Sequence, residues 1–182
     1  MKMHPNSSQT SLQLVLLTDE ELVQGCERQA FRGPGPGGQK RNKTSNGIRL
    51  VHVPTGVSAE AVEHRSQAQN LGAAVERLRW ALATGLRSPA EPTHALLLSH
   101  VRQGRFVAPR RAEAVAVAVL VLDVLAEAGF VLKDAADRVG VSTASLSAFL
   151  TSHPPLLTVV NTERLQRGLR PLQNTSRNGS RS

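Results

Sequence analysis

Residues 33–44 read Gly-Pro-Gly-Pro-Gly-Gly-Gln-Lys-Arg-Asn-Lys-Thr and carry the chain's most specific chemistry. Glycine and proline occupy every position from 33 to 38, so neither helix nor strand can continue through them. Glycines also leave main-chain N–H groups open to close approach. One amide side chain, Gln39, follows, and then the cations Lys40, Arg41 and Lys43 around Asn42. A backbone donor site flanked by cations suits a polyanion that carries a reactive group, and RNA is such a molecule. No Ser/His/Asp or Cys/His set and no phosphate-binding glycine-lysine loop accompanies it.

Charge points the same way. Twenty-two Lys+Arg face 14 Asp+Glu, for a net charge of +8. Six of the cations, Arg28, Arg32, Lys40, Arg41, Lys43 and Arg49, lie in an acid-free block around the glycine segment. A second group, Arg164, Arg167, Arg170, Arg177 and Arg181, follows Glu163. Such a distribution is a statement about partners, and it favours nucleic-acid phosphate. Aromatic residues make up 3% of the chain, with no Tyr, so base stacking on aromatic platforms is not the expected mode of recognition. The single Cys26 excludes an intramolecular disulfide and reads as a small apolar filler at the end of a short helix. No apolar run has the length and uniformity of a membrane span, so a soluble cytoplasmic protein without membrane contact is expected. No cysteine–histidine cluster suggests a metal, and no cofactor is expected.

The elements that position the loop can be read from spacing. Residues 1–11 are polar and expected to be disordered. Thr18 and Glu21 have the spacing of a capping box, predicting a short helix to about residue 27. Residues 28–32 form a strand into the loop, 47–53 a return strand, Pro54-Thr55-Gly56 a tight turn, and 57–62 a hairpin partner. His52 reads as a strand residue rather than a general base. Ser66 caps a long helix with the apolar stripe Leu71, Ala74, Val75, Leu78 and Leu82, while Trp80 falls off that stripe as a packing residue. These elements make an α+β domain over residues 12–87. A linker over 88–95 leads to an all-α module over 96–162, with helices at 96–101 and 112–128 and helix-turn-helix-like spacing at 132–150, where Gly140 makes the turn and Ser142 caps the second helix. A basic tail fills 163–182.

Gly37-Gly38-Gln39, Asn42-Lys43-Thr44, His52 with Pro54-Thr55-Gly56, and Arg65-Ser66-Gln67 with Asn70 occur in that order. In this the chain resembles the peptidyl-tRNA hydrolysis domain of class I peptide chain release factors over roughly residues 15–85. Two departures are visible: Pro34 and Pro36 stiffen the approach to Gly37, and Arg41 stands where the family has an apolar residue. The resemblance implies catalysis by Gly37, Gly38 and Gln39, with RNA contacts from Lys40, Arg41, Asn42, Lys43, Arg49, Arg65, Arg164, Arg167 and Arg170. It implies the ribosome as partner, through ribosomal RNA and peptidyl-tRNA, and a glutamine methyltransferase acting on Gln39. No room for a codon-reading domain is seen, so the chain is similar to the short, ribosome-rescuing members, and a monomer is expected. The alternative is a non-enzymatic nucleic-acid-binding regulator built on the helix-turn-helix.

Overall fold

The structure, a computed structural model, describes residues 9–31, 46–107 and 111–173, which fall into two compact units, 1–86 and 87–182. The first unit is mixed α and β. Helices α1 (Ser11–Leu16) and α2 (Asp19–Gln24) precede strand β1 (Cys26–Phe31), followed by β2 (Gly47–His52), β3 (Ser58–Ala61) and the long helix α3 (Gln67–Gly85). The strands form one antiparallel sheet in the order β1-β2-β3. Strand β2 explains the layer arrangement: Ile48, Leu50 and His52 alternate inward and are buried, whereas Arg49 points outward. Helix α3 covers this inner face with Ala74, Val75, Leu78 and Leu82. Leu14 and Val15 of α1 and Leu22 of α2 complete the core. Each fully buried leucine there contributes on the order of 2 kcal/mol relative to exposure.

Both N-terminal helices open on reciprocal caps. Thr18 accepts from the Glu21 N–H while Glu21 accepts from the Thr18 N–H, as expected. Thr10 and Gln13 make the same exchange at α1. The expectation of disorder through residue 11 therefore fails at Thr10 and Ser11. The cap acceptor there is Gln, and a six-residue helix has too short a stripe to announce itself. Arg79 joins α1 and α2 to α3: its guanidinium donates to the carbonyl oxygens of Val15 and Leu17 at 2.6 Å each and to Asp19 at 2.6 Å. Those carbonyls lie at the C-terminal end of α1, where helical acceptors lack partners.

The second unit contains α4 (Ala95–Ser99), a hairpin of β4 (Val101–Arg102) and β5 (Arg105–Phe106), then α5 (Arg111–Glu127), α6 (Leu132–Val139), α7 (Thr143–Ser152) and α8 (Pro154–Gln166). It is not all-α as expected. The hairpin exists because Gln103 and Gly104 both take positive φ (49° and 71°), a two-residue turn whose twist suits antiparallel strands. Positions 114–125 of α5 are buried without exception, so this helix is the core of its unit. Its one buried carboxylate, Asp123, accepts from the Ser88 N–H and lies 3.7 Å from Arg87; burial raises its pKa above the ordinary carboxylate range. Glu127, one turn on, accepts from the Ala90 N–H. The 88–95 segment is thus tied to α5 rather than a free linker. Helices α6 and α7 meet at Gly140, which is left-handed (φ 78°), and the Ser142 hydroxyl accepts from the Ser145 N–H to cap α7. Among the described residues no helix is long and apolar enough to cross a membrane.

Candidate functional site

The glycine segment leaves and re-enters the sheet at one point. Phe31, the last residue of β1, pairs with Gly47, the first of β2. The residues expected to do chemistry, Gly37, Gly38, Gln39, Lys40, Arg41, Asn42 and Lys43, lie between them and outside the described residues. What the structure does show is how their base is held. A Cβ at Gly47 would fall 2.9 Å from the Phe31 carbonyl oxygen and 2.9 Å from Val62 Cγ1, so only glycine permits the two strand ends to approach this closely.

The returning end is fixed by Asn70 in the first turn of α3. Its side chain is fully buried, and all three of its hydrogen bonds reach other segments. Oδ1 accepts from the His64 N–H at 2.9 Å, and Nδ2 donates to the Asn46 carbonyl at 2.7 Å and the His64 carbonyl at 2.9 Å. Asn46 Nδ2 donates to the same His64 carbonyl at 3.0 Å. One amide therefore locks the last residue before β2 to the segment leading into α3. Asn70 was legible in the sequence only as part of a motif; its reach back to Asn46 was not.

Two expected RNA contacts flank this base. Arg49 lies on the outer sheet face, with a half-exposed side chain 3.5 Å from Glu60 across the β2–β3 pair. Arg65 is exposed and follows the pinned His64 directly. The fold thus places both on the described part of the loop-bearing unit. The C-terminal arginines are used differently. Arg164 lies within α8 and donates to the carbonyl oxygens of Phe130 at 2.6 Å and Arg170 at 2.8 Å. Arg167 pairs with Glu163 and sits 4.7 Å over the Phe130 ring. Asn161 closes the turn by accepting from the Leu172 N–H and donating to its carbonyl. Instead of a free tail from 163, residues 163–172 fold back on their own unit. Arg170 is exposed, and Arg177 and Arg181 lie outside the described residues.

His52 is buried beneath the turn that follows it. Its Nδ1 lies 2.8 Å from the Thr55 hydroxyl, its carbonyl accepts from the Thr55 and Gly56 N–H groups, and Gly56 takes φ 71°. Burial lowers its pKa below the ordinary imidazole value. Its burial and its bond to the turn make it a structural histidine. Among the described residues no group of His, Cys, Asp and Glu is arranged to hold a metal. Cys26 opens β1 instead of ending a helix, and its thiol donates to the Leu22 carbonyl at 3.1 Å.

Comparison with known proteins bears on the same segment. The RF-1 domain family matches residues 22–106, from within α2 through β5 and including the glycine segment. Peptide chain release factor 1 of Delftia acidovorans is 43% identical over 67 residues, which cover 37% of this chain and 19% of that protein. The corresponding protein of Parafrankia sp. is 42% identical over 65 residues, covering 36% and 18%. That of Lactiplantibacillus plantarum is 49% identical over 49 residues, covering 27% and 14%. The chain spans less than a fifth of the length of these relatives.

Proposed function

We propose, from the match of residues 22–106 to the RF-1 domain family and the resemblance to peptide chain release factors, that this chain hydrolyses the peptidyl-tRNA ester on the ribosome without reading a codon. The observation that carries the reading is the family match across a segment containing Gly37-Gly38-Gln39, set on the stem that Gly47 and Asn70 define. The substrate is the ester between a nascent peptide and the terminal ribose of tRNA, and water is the nucleophile. Attack creates a tetrahedral centre with negative charge on oxygen. The Gln39 N–H, in a backbone shape that Gly37 and Gly38 allow, donates to that oxygen, an interaction worth on the order of 3 kcal/mol. The Gln39 side chain admits water and excludes larger nucleophiles. Lys40, Arg41, Asn42 and Lys43 hold the loop against ribosomal RNA, with Arg49 and Arg65 at its base. A glutamine methyltransferase acting on Gln39 fits the same reading. The buried His52 supports it too, because it leaves catalysis to backbone and ribosome.

The rescue assignment rests on the second unit. A packed module of helices and a hairpin follows the loop-bearing unit, and the matched relatives align with this chain over less than a fifth of their own length. A non-enzymatic regulator acting through α6 and α7 is the weaker reading: α7 has no Lys or Arg, and DNA readers normally place cations on that helix. Co-sedimentation decides between them. Salt-sensitive pelleting with ribosomes and none with duplex DNA is the expected result. The reverse pattern refutes the hydrolase reading.

A further inference from the structure

We propose that the β4–β5 hairpin is an RNA-phosphate clamp, formed by Arg102 and Arg105, that acts independently of the glycine loop. The two arginines are direct cross-strand partners on either side of the Gln103–Gly104 turn, and both are exposed. Like charges placed opposite each other in an antiparallel pair destabilise it. Among the described residues neither guanidinium has a hydrogen-bond or ion-pair partner. The other arginines of this unit are mostly committed: Arg87 to Asp123, Arg138 to Glu127, Arg164 to two carbonyls and Arg167 to Glu163. Arg170 and Lys133 stand singly. Among the described residues of this unit, the hairpin pair is the one matched fork.

The hairpin that carries the fork is also anchored. The Ser142 N–H donates to the Gly104 carbonyl at the tip at 2.7 Å, and the Phe106 N–H donates to the Ser145 hydroxyl at 2.8 Å. Phe106 stacks on Phe149 of α7 with ring centroids 4.8 Å apart. A two-residue turn bearing a repulsive pair is therefore fixed to a helix at three points. The surrounding sequence has the same character: residues 92–112 contain Arg102, Arg105, Arg110 and Arg111 and no Asp or Glu. Planar guanidinium groups with free donors side by side suit bidentate phosphate binding. The exposed residues of α7 are Thr143, Ala144, Ala148 and Ser152, with no Lys, Arg, Asn or Gln to read bases bidentately. A sequence-independent RNA backbone is therefore the ligand class, gripped by a pair distinct from Arg164 and Arg167, whose guanidinium groups already have partners within the unit.

The test uses the full chain and a fluorescein-labelled 20-nucleotide RNA stem-loop, with affinity measured by anisotropy between 50 and 200 mM salt. The variant R102Q/R105Q is compared with K133Q/R138Q, which changes net charge equally within the same unit, after circular dichroism establishes that both are folded. Losing two phosphate contacts lowers the slope of log K against log salt by about 1.8, at about 0.9 per contact. The control should change it by less than half as much. Equal slopes for the two variants overturn the proposal. So does tighter binding to polyglutamate than to RNA that is lost in R102Q/R105Q, since the hairpin then serves an acidic protein. No peptide release is read, so the outcome is separate from that of the hydrolase reading.

Discussion

Replacing Asn70 by Ala should loosen the base of the glycine loop more than any other single polar truncation in the first unit. The side chain is fully buried and makes three hydrogen bonds, two of them donated to backbone carbonyls. At about 1 kcal/mol net for each bond the loss is about 3 kcal/mol. Partial rehydration lowers this, because His64 is exposed and Asn46 is half-buried. A cavity the size of an amide raises it. We expect a loss of 2–4 kcal/mol, read as a fall of roughly 8–25 °C in Tm for a unit of this size. Asn70→Asp is the sharper variant. It keeps the acceptor for the His64 N–H but turns both donor contacts into oxygen facing oxygen, so it should be at least as destabilising at neutral pH. Asn46→Ala, which removes one exposed bond to the same carbonyl, should cost less than about 1 kcal/mol. Hydrogen exchange of the Gly47 and Ile48 amides should quicken in both Asn70 variants before global unfolding. A Tm within 2 °C of wild type for Asn70→Ala, with unchanged exchange at Gly47, refutes the assignment of Asn70 as the latch of the loop base.

Gly47→Ala should lower stability by about 1–3 kcal/mol in urea titration, because its Cβ meets a backbone carbonyl; an unchanged midpoint counts against the close approach of Phe31 and Gly47. Arg79→Lys keeps the charge but cannot bridge two carbonyls and Asp19 together, so a loss of about 1.5–3 kcal/mol is expected by thermal melting, and neutrality shows α1 to be held by apolar contacts alone. The lowered pKa of His52 means that the unfolded chain binds its proton more readily than the native one. Its contribution is therefore complete above the unfolded value near 6.5 and is lost as pH falls through the folded value. His52→Gln should lose less stability than wild type between pH 7 and 5 in parallel denaturant titrations; identical pH profiles would contradict a buried neutral imidazole.

The sequence was most legible where one local rule decides the outcome. The Thr18–Glu21 box, the stripe of α3, the Pro54-Thr55-Gly56 turn and the Ser142 cap each depend on residues close in the chain, and each stands as expected. Reading failed where partners are distant or signals conflict. The strand at 47–53 was legible but its inner face was not: tertiary packing selects Ile48, Leu50 and His52 and leaves Val53 exposed. The expected helix at 96–101 stops at Ser99, because the Gln103–Gly104 turn draws Val101 into β4. The arginines after Glu163 read as a basic tail, yet Arg164 reaches the Phe130 carbonyl, 34 positions earlier. At the candidate site the motif residues were visible by type and order. The buried amide that anchors their base is a long-range fact that spacing cannot supply.

The central claim, a ribosome-dependent hydrolase whose loop acts through its backbone, is tested most directly by single-turnover peptide release. The substrate is a ribosome carrying peptidyl-tRNA with no codon in the decoding site. Wild type should release peptide there and be nearly inactive on free peptidyl-tRNA. Gln39→Pro, which removes the N–H, should fall at least tenfold below Gln39→Ala, in keeping with an oxyanion donor worth on the order of 3 kcal/mol. Equal release by the Pro and Ala variants, or hydrolysis of free peptidyl-tRNA as fast as on the ribosome, would contradict the account.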